Sequence, residues 1–210
     1  MLGKFVTFEG PEGGGKSSVI REVIGAFSGS VDILGVREPG STTLGEKIRG
    51  ILQTEEMPDR SELMLFEAAR ACIVDTVIKP ALDRGTSVAC DRFSDSTVAY
   101  QGYGRGLPFR DIDSMNRIAT TGLTPDLTIL LDIDPMVGMA RKGKPSDRIE
   151  SAGMDFHVRV RKGFLEMAEA NPGRFRVVDA SKPLEEVVEA VVGVLKVNFG
   201  WKRSRKQTKE

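Results

Sequence analysis

Short apolar runs alternate along this chain with longer stretches in which apolar residues recur every three or four positions. Lys4-Phe5-Val6-Thr7-Phe8-Glu9 alternates and is rich in aromatic and β-branched residues, which predicts a buried strand. Segments 31–36, 86–91, 126–132 and 175–178 predict four more, the third being the most apolar. Helical spacing covers 18–24 and, roughly, 43–53, 60–84, 94–102, 110–121, 135–142, 152–170 and 183–197. Strands alternating with helices predict an α/β fold: a five-stranded parallel sheet, right-handed crossovers, and helices on both faces. Pro80 falls inside 60–84 and predicts a kink or a new helix there. One domain is expected over residues 1–198. From Trp201 the pattern dissolves, and a basic tail over 199–210 is expected to be frayed and solvated.

In sheets of this kind ligands bind beyond the carboxyl ends of strands, so polar motifs there carry the chemistry. The first strand runs into Gly10-Pro11-Glu12-Gly13-Gly14-Gly15-Lys16-Ser17, a full match to the phosphate-binding pattern G-x-x-x-x-G-K-[ST]. Glycines let backbone N–H groups curl around a polyphosphate, and the following helix adds its positive end. Lys16 then reaches the β- and γ-phosphates, and the Ser17 hydroxyl suits Mg²⁺. Asp91 closes the third strand, placed to hold Mg²⁺ or its waters. Beside it, Arg92 can bridge donor and acceptor phosphates. Arg37 ends the second strand and can clasp a phosphate, or pair with Glu38 or Glu46. Phe66 and Arg70, at i and i+4, share a helix face that offers a stacking ring and a guanidinium. Tyr100 can pack on a sugar. Arg141, Lys142, Lys144 and Arg148 put four cations around Gly143 and Pro145, which reads as a basic flap over 141–150 that closes on phosphates.

Composition narrows the field. The chain has 210 residues and a formal net charge of +0, which argues against a polyanion-binding surface. We therefore expect no nucleic-acid partner, and no stretch approaches the ~20 apolar residues of a membrane span. The N-terminus runs straight into the first strand without a signal segment, so a cytoplasmic protein is expected. Cys72 and Cys90 have no CxxC spacing and read as core residues. The single histidine, His157, reads as a solvated helix residue. A GTP-dependent switch would carry Asn-Lys-x-Asp, which does not occur. A motor-type ATPase would carry a glutamate after the strand-terminal aspartate, whereas Asp91 is followed by Arg92 and Asp132 by Ile133.

The phosphate loop, Arg37-Glu38-Pro39-Gly40, Phe66 with Arg70, Asp91-Arg92-Phe93 through Tyr100-Gln101-Gly102, and Asp147-Arg148-Ile149-Glu150 occur in an order that resembles thymidylate kinases. The resemblance runs from Phe5 to about Leu195. It implies a P-loop kinase fold, transfer of the γ-phosphoryl of ATP to dTMP, Mg²⁺, and a homodimer in which helix 60–84 supplies the interface. ATP is then expected on Gly10, Pro11, Glu12, Gly13, Gly14, Gly15, Lys16, Ser17 and Ser18, with Arg141 and Arg148 from the flap. The resemblance assigns Glu12 to the acceptor sugar and Phe66 to the thymine face. It assigns Arg70 to a base carbonyl, Arg37 and Arg92 to the monophosphate, Ser96, Thr97 and Gln101 to the base pocket, and Tyr100 to the deoxyribose. Lys16, Arg92, Arg141 and Asp91 are the expected catalytic set, with Ser17 and Asp91 on the metal. Three positions depart from the usual pattern: Phe93, Pro11, and Ala69 before Arg70. The four variable loop positions (Pro11, Glu12, Gly13, Gly14) contain no arginine, which looks like the bacterial arrangement. The charge on the transferring phosphoryl must then be met by the flap, with Arg141 foremost. Another nucleoside monophosphate kinase of the same fold is the alternative.

Overall fold

The computed structural model describes residues 2–143 and 147–204; Lys144, Arg205, Lys206 and Lys209 lie outside the described residues. The chain runs β1 (Phe5–Glu9), α1 (Lys16–Phe27), β2 (Ile33–Arg37), α2 (Thr43–Thr54) and α3 (Asp59–Ile73). A π-helical turn (Val74–Ile78), α4 (Lys79–Asp83), β3 (Ser87–Asp91), α5 (Ser94–Thr97) and a second π-helical turn (Val98–Gly104) follow. The rest is α6 (Phe109–Thr120), β4 (Leu127–Asp132), α7 (Pro135–Lys142), α8 (Met154–Ala170), β5 (Phe175–Asp179) and α9 (Leu184–Phe199). The five strands are parallel in the order β2-β3-β1-β4-β5. β1 is central, and the chain crosses it between β3 and β4, so its carboxyl end is the switch point where a ligand is expected.

Both faces of the sheet are covered, as its apolar strands require. Val6 and Phe8 of β1 pack with α1 and α9 residues such as Val19, Val23, Val191 and Leu195. Phe5, one pleat away, packs with Ile73, Ile78 and Leu82 on the other face.

Two expectations are corrected, and a third is resolved between its alternatives: at Pro80 the chain begins a new helix, α4, with Pro80 in its first turn. Pro80 has no N–H and crowds the carbonyl four residues back. The chain widens just before it, and Lys79 N–H bonds to Val74 O, five residues back. His157 is buried rather than solvated: its side chain faces the Phe156 ring, and Nε2 lies 3.2 Å from Glu150 O. The tail is not frayed as far as Ser204. Trp201 packs edge-on against Phe27 at 5.3 Å, and Ser204 N–H donates to Ala26 O at 2.9 Å.

Candidate active site

β1 ends at Glu9, and the glycine loop turns straight into α1. Gly10 (φ 136°) and Gly13 (φ 75°) adopt backbone conformations that side chains disfavour. A Cβ on Gly13 would stand 2.0 Å from Gly138 O, so the loop lies directly against α7. Glu12, Gly13, Gly15, Lys16, Ser17 and Ser18 line one cleft, the donor cleft. Gly10, Pro11 and Gly14 shape the loop behind it. Lys16 Nζ donates to the carbonyls of Gly10 (3.1 Å) and Pro11 (2.9 Å). Burial and the Arg92 charge lower its pKa to about 8, against the pull of Glu12, Asp91 and Glu9. Ser17 Oγ donates to Asp91 Oδ2 at 2.6 Å. A hydroxyl and a carboxylate side by side are the hard oxygen donors that Mg²⁺ takes. Among the described residues no three His, Cys, Asp or Glu converge, so phosphate oxygens and water would supply the other ligands.

A second cleft, on the acceptor side, is lined by Phe66, Arg70, Ser96, Thr97, Tyr100 and Gln101. The second π-helical turn brings the adjacent residues Tyr100 and Gln101 to the same cleft as Ser96 and Thr97. Arg70 is only 2% exposed. Its Nε donates to Glu38 Oε2 (2.8 Å), and its Nη1 is shared among Glu67 Oε1 (2.5 Å), Thr97 Oγ1 (2.7 Å) and Asn116 Oδ1 (2.9 Å). Nη2 donates to Phe93 O at 3.0 Å. The frequent aspartate before this arginine is therefore replaced by other acceptors, and Ala69 packs with Ile48 and Leu52 instead. Phe93 is buried edge-on against Phe5 at 4.9 Å.

The two clefts meet. Glu12, Glu38, Arg49, Arg92 and Lys142 line both, three cations and two carboxyls along one seam. Arg92 has φ 69°, a strained conformation for a bulky residue. It is held on both sides: its N–H donates to Phe8 O (3.0 Å), and the next N–H, of Phe93, donates to Glu9 Oε1 (2.7 Å). Its guanidinium bonds Gly10 O (3.1 Å), Ser96 Oγ (3.2 Å) and Glu12 Oε1 (2.6 Å), and lies 4.9 Å from the Tyr100 ring centre. Tyr100 OH also donates to Glu12 Oε1, at 2.9 Å. Burial pushes the Glu12 carboxyl up, but Arg92, Lys16 and Lys142 outweigh it and hold it well below the usual carboxylate range. Burial raises Glu38 to about 7 despite Arg70, and its Oε1 has no partner among the described residues.

The flap and Arg37 stand differently from expectation. Arg141 is turned away from the seam, donating to Ala180 O (2.6 Å) and Ser181 O (2.5 Å) in the loop after β5. It borders the donor cleft but not the acceptor cleft. Lys142 is the flap cation at the seam, bonded to Glu150 and, at 3.4 Å, to Glu12. Arg148 is not at the donor cleft: it bonds Glu62, and its neighbours Asp147, Ile149 and Glu150 line the acceptor cleft. Arg37 lines the donor cleft but not the acceptor cleft, and its Nη2 is held by both oxygens of Glu46 (3.0 and 2.9 Å). The salt bridge to Glu46 is formed, and Arg37 faces the donor cleft from it.

The profile of the family described as thymidylate kinase matches residues 8–191 of this chain. The chain belongs to the thymidylate kinase family. A thymidylate kinase of Lactobacillus delbrueckii subsp. bulgaricus is 45% identical over 208 residues, covering 95% of this chain and 98% of the relative. That of Deinococcus radiodurans is 44% identical over 191 residues, covering 88% and 92%. That of Desulfovibrio desulfuricans is 46% identical over 197 residues, covering 88% and 91%. Among the described residues no helix is long and apolar enough to cross a membrane.

Beyond the residues that the family motifs assign a role, the fold brings four more to the two clefts or directly behind them. Arg49 reaches the seam from α2 and donates to Pro39 O at 3.2 Å. Nothing in its sequence neighbourhood marks it. Glu62 precedes Phe66 and Arg70 by four and eight residues, so helical spacing alone places it on their face. Glu9 and Glu38 are carboxyls at or just beyond strand ends, and burial marks them only once the strands are packed.

Proposed function

We propose that this chain transfers the γ-phosphoryl of ATP to dTMP, giving dTDP and ADP, for dTTP synthesis. The observation that carries the reading is the seam: a phosphate loop on one side, an aromatic pocket with polar edges on the other, and Arg49, Arg92 and Lys142 between them. Phosphoryl transfer needs positioning and charge neutralisation more than covalent chemistry. The loop N–H groups and Lys16 hold the donor phosphates. Arg92 and Arg49 hold the acceptor phosphate in line, an office Arg49 takes in place of Arg37. Lys142 meets the charge on the transferring phosphoryl; burial opposes its charge, but Glu150 and Glu12 keep its pKa raised. Ser17 and Asp91 would hold Mg²⁺, which when bound spreads the negative charge of the β- and γ-phosphates. The acceptor oxygen is ionised near neutral pH, so no general base is required. Phe66 takes the base face, Arg70 and Gln101 its polar edge, Tyr100 and Glu12 the sugar, and Ser96 and Thr97 the pocket wall.

The proposal includes one domain over residues 1–198 and a cytoplasmic location, where the free thiols of Cys72 and Cys90 would persist. It also includes a homodimer, for which Met64 on α3 and Ile118 on α6 leave apolar surface on two helices in contact; light scattering tests the mass. The activity is tested with ATP, Mg²⁺ and a panel of dTMP, dUMP, dCMP, dGMP and dAMP. Turnover with dTMP foremost is expected, with little hydrolysis when no acceptor is present. Turnover confined to a purine nucleotide would overturn the assignment in favour of another monophosphate kinase.

A further inference from the structure

Glu62 stands in the first turn of α3 and is 1% exposed, yet its carboxylate receives four N–H donors from three residues. Gln101 Nε2 and Arg105 Nε reach Oε1 at 2.9 and 3.2 Å. Arg105 Nη2 reaches Oε2 at 3.1 Å, and Arg148 Nη2 bonds the same oxygen. Burial would raise this carboxyl, but the bonds from Arg105 and Gln101, the Arg105 charge and the bond from Arg148 hold its pKa below the usual value. An ionised carboxylate only accepts hydrogen bonds.

That settles the orientation of Gln101. A glutamine amide can be turned end for end, and its partners decide which end points where. With Glu62 at 2.9 Å, only the NH₂ end can face it, because the flipped amide would set two oxygen lone pairs against each other. Gln101 is buried in the acceptor cleft, and among the described residues no group donates to its Oε1. On the same cleft, Arg70 commits its Nε and Nη1 N–H groups to the acceptors given above and one Nη2 N–H to Phe93 O, so of its five N–H groups one on Nη2 remains. The pocket edge therefore offers one N–H donor and one carbonyl acceptor.

We propose that Glu62 sets the base preference of the acceptor cleft, acting as a positioning residue that fixes which atom of Gln101 faces the base. The inference rests on the reading of that cleft as the dTMP site. A thymine edge presents a carbonyl beside a ring N–H, the complement of an Arg70 donor and a Gln101 oxygen. A cytosine edge presents an amino group beside an unprotonated ring nitrogen, the inverse pattern. A site built to pair one pattern rejects the other strongly, because its own buried groups are left unpaired.

The test is the ratio of kcat/KM for dTMP to that for dCMP in wild type, Glu62→Gln and Glu62→Asp, with Tm followed alongside. A glutamine at 62 can donate or accept, so Gln101 is free to turn; the ratio should contract by roughly 10- to 100-fold, the worth of one mispaired buried group. Aspartate keeps an acceptor-only partner and should keep the preference. Loss of the Arg148 contact affects both nucleotides alike and cannot move the ratio. A folded Glu62→Gln that loses both activities equally, or a Glu62→Asp that loses the preference as fully as Glu62→Gln, would overturn the proposal. Should Glu62→Gln fail to fold, Gln101→Met decides: the ratio must contract, and an unchanged ratio sinks the idea. A wild-type enzyme that does not favour dTMP would instead overturn the functional reading, before any variant is made.

Discussion

The two clefts recognise their ligands by different means. The donor cleft has a contiguous floor, Glu12 to Ser18, and a rim of charged side chains: Arg37, Glu38, Arg49, Asp91, Arg92, Arg141 and Lys142. Its selectivity is for phosphate, which backbone N–H groups, a helix end and one lysine can supply. The acceptor cleft draws side chains from the glycine loop, α2, α3, α5, the π-helical turn after it, and the flap. Those side chains are themselves held by buried charges: Arg70 by Glu38 and Glu67, Gln101 by Glu62, Arg92 by Glu12. A base edge can be read only by side-chain atoms, and such atoms need partners behind them to stay aimed. Specificity and stability are thus tied together on the acceptor side and separable on the donor side.

The sharpest way to break this comparison is to remove one hub from each side. Arg70→Met leaves Glu38 and Glu67 buried without their cation, and Glu38 Oε1 and Glu67 Oε2 already have no partner among the described residues. Stripping one partner from a buried ion pair costs about 3–5 kcal/mol, so urea unfolding should show a loss of that order together with lost dTMP binding. Lys16→Met strips hydrogen bonds only from two loop carbonyls, and Glu12 keeps Arg92 and Lys142 as its cations. It should cost little stability while kcat falls by about 10²- to 10³-fold, the worth of one transition-state donor. Equal stability losses in the two variants would show that the distinction between the clefts is wrong.

A smaller effect sharpens where the regions join. Lys142→Ala should lower kcat by about 10²-fold with a modest change in the KM for ATP, because the interaction removed is made with the transferring group. Arg141→Ala should act chiefly on the KM for ATP, with the smaller effect on kcat. Steady-state kinetics in which Arg141→Ala is the slower enzyme would return Arg141 to the γ-phosphoryl.

That pair of variants also shows where the sequence runs out. Adjacent residues on a helix point about 100° apart, so two cations at the end of α7 serve different neighbours, and residue type alone does not say which is which. The phosphate loop was legible because its function is a local backbone shape that spacing encodes. The five strands were legible from apolar alternation, although β2 begins at Ile33 rather than at Val31. Arg70 was legible as a residue of interest but not as a hub. Glu67 lies three residues away on the same helix, whereas Glu38 is 32 positions distant in sequence. His157 was misread because its charged neighbours Arg159, Arg161 and Lys162 mask a helix face that packs inward. Trp201 and Phe199 were the signal, unread, that the tail packs on α1.

The smallest expected effect, read per pH unit, concerns Glu9, the residue beneath both clefts. Its carboxyl is fully buried at the end of β1 and accepts Phe93 N–H (2.7 Å) and the Ser96 hydroxyl (2.5 Å), tying the donor loop to the turn that carries Arg92. Burial, and the nearby Asp95 charge, push its pKa from 4.5 to about 8, against Ser96, Arg92 and Phe93, which pull it down. A carboxyl whose folded pKa is raised binds more protons in the native state than in the unfolded one. The stability it contributes is therefore complete below 4.5 and is lost as pH rises through about 8. Stability from urea melts should decline across that window by at most ~1.4 kcal/mol per pH unit from this group. Glu9→Gln keeps an acceptor for Phe93 N–H but cannot titrate, so its stability should vary less with pH over the same range. Parallel slopes in the two proteins would place the titrating proton on a group other than Glu9.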